Sequence, residues 1–473
     1  MSSTRAALRA ASVTALIGLS LASLERPAFA VGEEITDVRV MGNVRTEEST
    51  VRSIAGVSIG DTMDIDTLDT VRERLNTTGL FADVNVWWEP QGSGVRINIS
   101  VKDKFPWAPV PTGSWSANNK AFGLLFVHGN LFGRGKQLLL GGRLATIDSG
   151  AVLGYRDPSL FGTWMYWQLQ SFIQRGLFPE FDNTNLREPV SIRESLLVSY
   201  GVEPTFGIAW FRRVRTQVGW RIERLNFDQS NAPGDPNLLL EPALASGTIG
   251  TGKATLSFDF RAREFAVMRG VALSGTVEAG GPRFGGDFKY WRAFASWEHG
   301  IKVFKSHNFV YSAFTGVGHN LPFTQEMMAG GTNLRGYLYQ QFRGDTQVHA
   351  EVEYHFPLFS IGPLDFRALG FYDADATWFR TLPGAIVGPD AGNFTYYVRD
   401  TLDRRTYPQC SLNTGSCATP LTPSGFSFDN SVHTAVGGGL RFFLRSVAVP
   451  LVGFDAGYGI EARTWRFILI VGA

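Results

Sequence analysis

Between Gly330 and Asp375, hydrophobic and polar positions alternate in two runs that follow a Gly-rich loop. In the first run, Val348, Ala350, Val352, Tyr354 and Phe356 fall on one face. Gln347, His349, Glu351, Glu353 and His355 fall on the other. In the second, Leu364, Phe366, Ala368, Gly370 and Tyr372 oppose Asp365, Arg367, Leu369, Phe371 and Asp373. A period of two predicts strands. Their lengths suit tilted membrane strands of about 9–11 residues. The pattern therefore predicts one face in lipid and the other lining a wet interior that holds Glu353 and Asp373. The loop ahead of them carries Arg335 within Leu334-Arg335-Gly336-Tyr337. A buried cation needs a carboxylate partner, and the two strands offer them.

The same alternation recurs along the chain. Val214, Thr216, Val218, Trp220 and Ile222 oppose Arg215, Gln217, Arg221 and Glu223. Ala254, Leu256, Phe258 and Phe260 oppose Lys253, Asp259 and Arg261. Trp291, Ala293, Ala295 and Trp297 oppose Tyr290, Arg292, Ser296 and Glu298. The charges keep to one face. Arg or Lys on a lipid face near the bilayer midplane would cost roughly 2–4 kcal/mol, whereas a wet inner wall accepts them cheaply. Connections are short at Gly133-Arg134-Gly135-Lys136, Phe161-Gly162-Thr163 and Ile361-Gly362-Pro363. They are longer and polar near Phe178–Ile192, Asp228–Thr251, Thr324–Asp345 and Phe379–Asn430. Short turns at one end and long loops at the other predict a transmembrane antiparallel β-barrel of about 16 strands over residues 113–473.

A different pattern precedes it. Over residues 31–105, Ile35, Val38 and Val40 predict a first strand, and Thr46 a helix N-cap. Leu68, Val71 and Leu75 make the buried stripe of a second helix that Gly79 closes. Two strands, Ala82–Glu89 and Val95–Lys102, complete a small α/β unit. Pro106, Pro109 and Pro111 predict a stiff linker over residues 106–112.

Residues 1–30 read as a signal peptide. Arg5 and Arg9 precede an apolar run, and Ala28-Phe29-Ala30 supplies a cleavage site. No later segment has the roughly 18 continuous apolar residues of a membrane-spanning helix. Net charge is +1, which argues against a nucleic-acid partner. The 36 Phe, 12 Trp, 13 Tyr and 53 Gly suit aromatic girdles and tight turns. The two cysteines, Cys410 and Cys417, sit in a polar loop of an exported chain, so a local disulfide is expected. No Gly-x-Ser-x-Gly elbow, His-Glu-x-x-His or phosphate-binding loop is present, which argues against an enzyme, a metal centre or a cofactor.

Met41-Gly42-Asn43 and Thr78-Gly79-Leu80-Phe81-Ala82-Asp83-Val84, in a β-α-α-β-β order, resemble a POTRA domain. Further matches lie at Asn130-Leu131-Phe132-Gly133-Arg134-Gly135, Tyr155-Arg156-Asp157-Pro158, Gly330–Tyr337, Val352-Glu353-Tyr354 and Phe371-Tyr372-Asp373. Together the chain resembles the outer-membrane assembly and secretion superfamily of the BamA/TamA type, also called the bacterial surface antigen family. The resemblance implies that a long loop folds back into the barrel. Its tip, here Arg335, Gly336 and Tyr337, would be held by the acids Glu353 and Asp373. It implies a POTRA in the periplasm that receives unfolded β-rich clients, with periplasmic chaperones or accessory proteins as partners and outer-membrane lipid around the barrel. Trp465, Phe467, Leu469 and Val471 alternate as the lipid face of a terminal strand at the closing seam. The chain departs from the family in finishing Val471-Gly472-Ala473, where an aromatic residue is usual, and its single POTRA is unlike the several present in the family's best-known assembly factor. The expected function is outer-membrane protein assembly or insertion without enzymatic chemistry. The alternative is a two-partner-type secretion pore for a specific passenger.

Overall fold

The computed structural model describes residues 32–160, 163–183, 185–210, 213–228, 246–380, 425–444 and 450–472. The expected signal peptide and both Cys410 and Cys417 lie outside the described residues. The chain divides into two compact units.

The first unit contains β1 (Ile35–Met41), α1 (Glu48–Ala55), α2 (Thr67–Thr77), β2 (Phe81–Gln91) and β3 (Gly94–Asp103). β3 is central, parallel to β1 and antiparallel to β2. The helices lay Val51, Ala55, Val71 and Leu75 against Ile35, Val38, Val84, Ile97 and Ile99, which makes one apolar core. Leu68 packs at its border. Thr46 does not cap α1, whose N-cap is Glu47. Its hydroxyl donates instead to Asp103 Oδ1 at 2.5 Å, which ties the helix approach to the end of β3. A carboxylate at that distance offers a stronger bond than a neutral backbone group would.

The second unit is a closed antiparallel barrel. Its first strands are β4 (Trp107–Trp115), β5 (Lys120–Leu131), β6 (Lys136–Ala145), β7 (Asp148–Asp157), β8 (Met165–Asp182), β9 (Val190–Trp210) and β10 (Val214–Asp228). Then come β11 (Gly247–Asp259), β12 (Ala262–Glu264), β13 (Val267–Gly280), β14 (Tyr290–Val303) and β15 (His307–His319). A hairpin of β16 (Met327–Ala329) and β17 (Phe342–Gly344) stands apart from the wall. The barrel continues with β18 (Thr346–Ile361), β19 (Leu364–Trp378), β20 (Val432–Leu444), β21 (Pro450–Gly459) and β22 (Thr464–Val471). β22 returns to β4 and closes the ring. β12 continues the edge of β11 against β13, so the ring has sixteen staves.

Side chains alternate across this wall. Leu140, Leu153, Val218, Leu256, Leu273, Val277, Val348 and Tyr372 are exposed on the outside, as a lipid-facing surface requires. The inner wall pairs its polar groups across neighbouring staves. Arg292 meets Glu278 at 2.6 Å and Thr255 meets Thr276 at 2.8 Å, while Lys253 of β11 reaches past β10 to Glu203 of β9. Among the described residues no helix is long and apolar enough to cross a membrane.

Two further sequence expectations change. The proline-bearing segment is not a linker, because β4 begins at Trp107 and Pro109 and Pro111 pair with Phe126 and Leu124 of β5. On its other side β4 meets β22 only from Gly113 onward. An edge position of this kind tolerates proline, which has no N–H to donate. The connection expected near Phe178–Ile192 is also shorter. β8 runs to Asp182 and β9 starts at Val190, and both exceed the length that crosses a bilayer. Phe178, Leu197, Leu225, Ile249, Phe288, Tyr290, Leu321 and Phe323 form an apolar cluster of their own. That burial, invisible to local pattern, pays for the longer strands.

Candidate functional site: a loop held inside the barrel

The connection from His319 to Thr346 is the site. It passes through the β16–β17 hairpin and turns sharply at Gly330 and Gly331, with φ of 117° and 74°. Asn333 Oδ1 accepts from the Gly330 N–H at 3.0 Å and fixes the turn. Leu334 and Tyr337 bury with Ala329, Phe342, Ala435 and Ala462, which gives the loop its own small core.

Arg335 is 3% exposed and Asp373 is 1% exposed. The guanidinium takes Asp373 side-on, with Nε to Oδ2 at 2.9 Å and Nη2 to Oδ1 at 2.6 Å. The Arg335 backbone N–H also donates to Asp373 Oδ2 at 3.0 Å. Nη1 donates to Glu353 Oε1 at 2.6 Å, and Nη2 reaches Glu351 Oε1 at 2.6 Å. Asp455 of β21 lies 3.6 Å from Nη1. The guanidinium carbon stands 3.5 Å from the centroid of the Phe371 ring. A planar cation thus gains bidentate acceptors at its edge and a π face beneath it. Burial opposes the Arg335 charge, but Asp373, Glu353 and Glu351 outweigh that and bind its proton more firmly than in a free guanidinium.

Gly336 has φ of 106°, and a Cβ there would meet Gly459 N at 2.5 Å. Reciprocally, a Cβ on Gly457 would meet the Arg335 carbonyl carbon at 2.8 Å. The loop tip therefore lies directly on a bare stretch of the β21 backbone. Tyr337 donates its hydroxyl to Glu461, between β21 and β22, and to the Thr434 carbonyl at 3.2 Å. Burial and then the neighbouring Glu461 charge raise the Tyr337 phenol above its ordinary value. Phe342 stacks on His433 with ring centroids 3.8 Å apart.

Other loop residues reach other staves. Arg343 Nε donates to Glu326 at 3.0 Å within the loop. Gln325 accepts from Arg221 of β10 at 2.7 Å and from Arg292 of β14 at 3.1 Å. Tyr339 exchanges two hydrogen bonds with Asn118, and Gln341 two with Asn183. A polar chamber of about 640 Å³ remains beside the loop, lined by Arg143, Gln170, Glu203 and Arg221 among others.

Of the residues singled out in sequence, Arg335, Gly336, Tyr337, Glu353 and Asp373 come together here. Trp465, Phe467 and Leu469 are exposed on the outer face of β22, and Val471 is half-buried. Glu351, Phe371 and Asp455 complete the arginine's surroundings and were not assigned to it. The one available signal was the pair Gly457 and Gly459, two apart on one face, where a wall is left bare for something to lie on it. Among the described residues no group of His, Cys, Asp or Glu converges as a metal-ion site.

A sixteen-stranded antiparallel barrel with a POTRA module before it and a long loop folded into its lumen defines a class of outer-membrane proteins. The chain belongs to the Omp85 superfamily. Residues 130–415 match the Omp85 superfamily domain, and residues 33–104 match the POTRA model described as a surface antigen variable number repeat. Among solved structures it is similar to BamA from Haemophilus ducreyi lacking POTRA domains 1–3, with a TM-score of 0.59 and 15% identity over 92% of this chain and 84% of that one. It is also similar to CdiB from Escherichia coli, with a TM-score of 0.60 and 12% identity over 93% of this chain and 76% of that one. CdiB from Acinetobacter baumannii gives a TM-score of 0.56 and 11% identity over 93% and 74%. A search among curated proteins finds no match.

Proposed function

We propose that this protein is a non-enzymatic factor that assembles or inserts β-rich outer-membrane proteins. On this reading its POTRA lies in the periplasm and takes unfolded clients there. An extended client segment pairs with a sheet edge by main-chain hydrogen bonds, so many sequences can be accepted. The barrel then offers the client an edge at its seam. Arg335, clasped by Asp373, Glu353 and Glu351, braces the loop and holds the wall in shape while the seam works.

One observation carries the reading. β22 pairs with β4 through three register positions only: Leu469 with Trp115, Ile470 with Ser114 and Val471 with Gly113. Its other neighbour, β21, takes eight. Among the described residues the register with β22 does not extend to Ala108–Thr112 of β4, and a barrel built for stability alone would have no reason to pair its closing strands so briefly. Unpaired N–H and C=O groups are costly in lipid, and a client strand would satisfy them.

The second reading is a secretion pore of the two-partner type for one passenger, and the fold likeness to CdiB stands on its side. Depletion of the protein followed by quantitation of the outer-membrane proteome separates the two. Broad loss of β-barrels is expected. Loss of a single secreted chain would assign the second reading, and an unchanged proteome and secretome would overturn both.

A further inference from the structure

The seam has two sides, and the loop touches both within three residues. Tyr337 donates to Glu461, in the turn between β21 and β22. Tyr339 is held by Asn118, in the turn between β4 and β5. β22 and β4 are the strands that meet at the seam. We propose that Tyr337-Leu338-Tyr339 is a strap across the closing seam, hooked on Glu461 at one side and Asn118 at the other. The hooks would hold the seam shut until one lets go. This deepens the assembly reading and rests on it for why the seam should open.

Each hook is built to be stiff. The Asn118 amide mimics a peptide group. Its Nδ2 donates to the Tyr339 carbonyl at 3.1 Å and its Oδ1 accepts from the Tyr339 N–H at 2.9 Å. Asn118 sits in a tight turn closed by the Ser116 N–H donating to the Asn119 carbonyl at 2.8 Å. The Glu461 carboxylate is fixed by the Thr434 N–H at 2.8 Å and the Thr434 hydroxyl at 2.7 Å. Three hydrogen bonds thus reach the strap from the two turns, beside a seam with three register pairs. The Tyr337 hydroxyl adds the Thr434 carbonyl of β20 at 3.2 Å.

Space has been left behind the strap. A cavity of about 310 Å³ is lined by Gly331, Thr332 and Tyr339 of the loop and by Ser114, Ile470 and Val471 of the seam strands. Close packing would otherwise resist movement of the seam strands. With this void the strands can shift once a hook is released. Asn118, Glu461 and Tyr337 are accordingly positioning residues, acting on the seam through the loop backbone.

Hydrogen exchange on the full chain in lipid nanodiscs tests this directly. Asn118→Ala, and Asn118→Ala combined with Tyr337→Phe, should speed exchange of amides 113–115 and 469–471 by about ten-fold or more, the scale of losing one or two hydrogen bonds. Amides of β13–β15, across the barrel, should not change. Asn183→Ala is the control, because it releases Gln341 of the same loop away from the seam. Unchanged seam exchange in both strap variants would overturn the proposal. So would equal acceleration by Asn183→Ala, which would mean general loosening. Exchange is read without any client. Faster seam exchange in the variants, together with an outer-membrane proteome unchanged on depletion of the protein, would overturn the assembly reading and leave the strap standing.

Discussion

Arg335 binds Asp373 through Nε and Nη2 at 2.9 and 2.6 Å, and again through its own backbone N–H at 3.0 Å. One carboxylate therefore fixes both the side chain and the backbone of the loop tip. Glu351, Glu353 and Asp455 surround the same cation, so its removal would leave four carboxylates facing one another in a confined space.

Arg335→Ala should destabilise the barrel by on the order of 3–5 kcal/mol, the usual cost of stripping one partner from a buried ion pair. Arg335→Lys keeps the charge but cannot take Asp373 side-on, and should recover only part of the loss. Thermal unfolding followed by the heat-dependent shift in gel mobility reads both. Equal stability of Arg335→Ala and the native chain would refute the bracing role.

Gly336→Ala tests the contact between the loop tip and β21. The new Cβ would strike Gly459 N at a φ that side chains rarely adopt. Such strained backbone costs of order 1–3 kcal/mol, so the loop should leave its seat for part of the time. Limited proteolysis after Arg335 should become detectable in the variant and stay absent in the native protein.

The two faces of β13 predict opposite tolerance to charge. Leu273 is exposed on the outer face, whereas the Ser274 hydroxyl meets Ser296 inside. Leu273→Arg should cost roughly 2–4 kcal/mol in a bilayer, and Ser274→Arg much less. Urea unfolding in lipid vesicles gives the comparison. A reversed order would place lipid on the wrong side of the wall.

The Tyr337–Glu461 hook sets a pH window. Burial disfavours the Glu461 charge, but bonds from Tyr337 and Thr434 outweigh it and hold this carboxyl below the usual range. Such a group stabilises the fold above its unfolded pKa and loses that contribution as pH falls through the lower folded one. The Tyr337 phenol is raised, so its contribution is present below its ordinary value and is lost only as pH rises through the raised one. The hook should therefore hold from about pH 5 to about pH 9. Exchange of the Thr434 amide, corrected for its intrinsic rate, should be flat across that range and rise in stronger acid. A step near neutral pH would contradict the assignment.

Alternation alone carried the barrel. Every second side chain of β18, β19 and β13 must meet either lipid or a wet lumen, so the wall is written locally, two residues at a time. The same rule placed Glu353 and Asp373 inward, and it needed only one loop cation to suggest their partner. The first unit was also legible, since Val71 and Leu75 repeat at helical spacing over strands that alternate. What local pattern misassigned were places where a distant partner decides. Pro109 and Pro111 suggested a linker, but a proline edge is acceptable in a strand whose other neighbour stops short. Thr46 suggested a cap, but Asp103, far along the chain, took its hydroxyl. Glu351 and Asp455 joining Arg335, Gly336 lying on Gly459, and Tyr339 meeting Asn118 all depend on closure of the ring. Closure brings together residues as far apart in the chain as Gly113 and Val471, and no period in the sequence encodes which of them will touch.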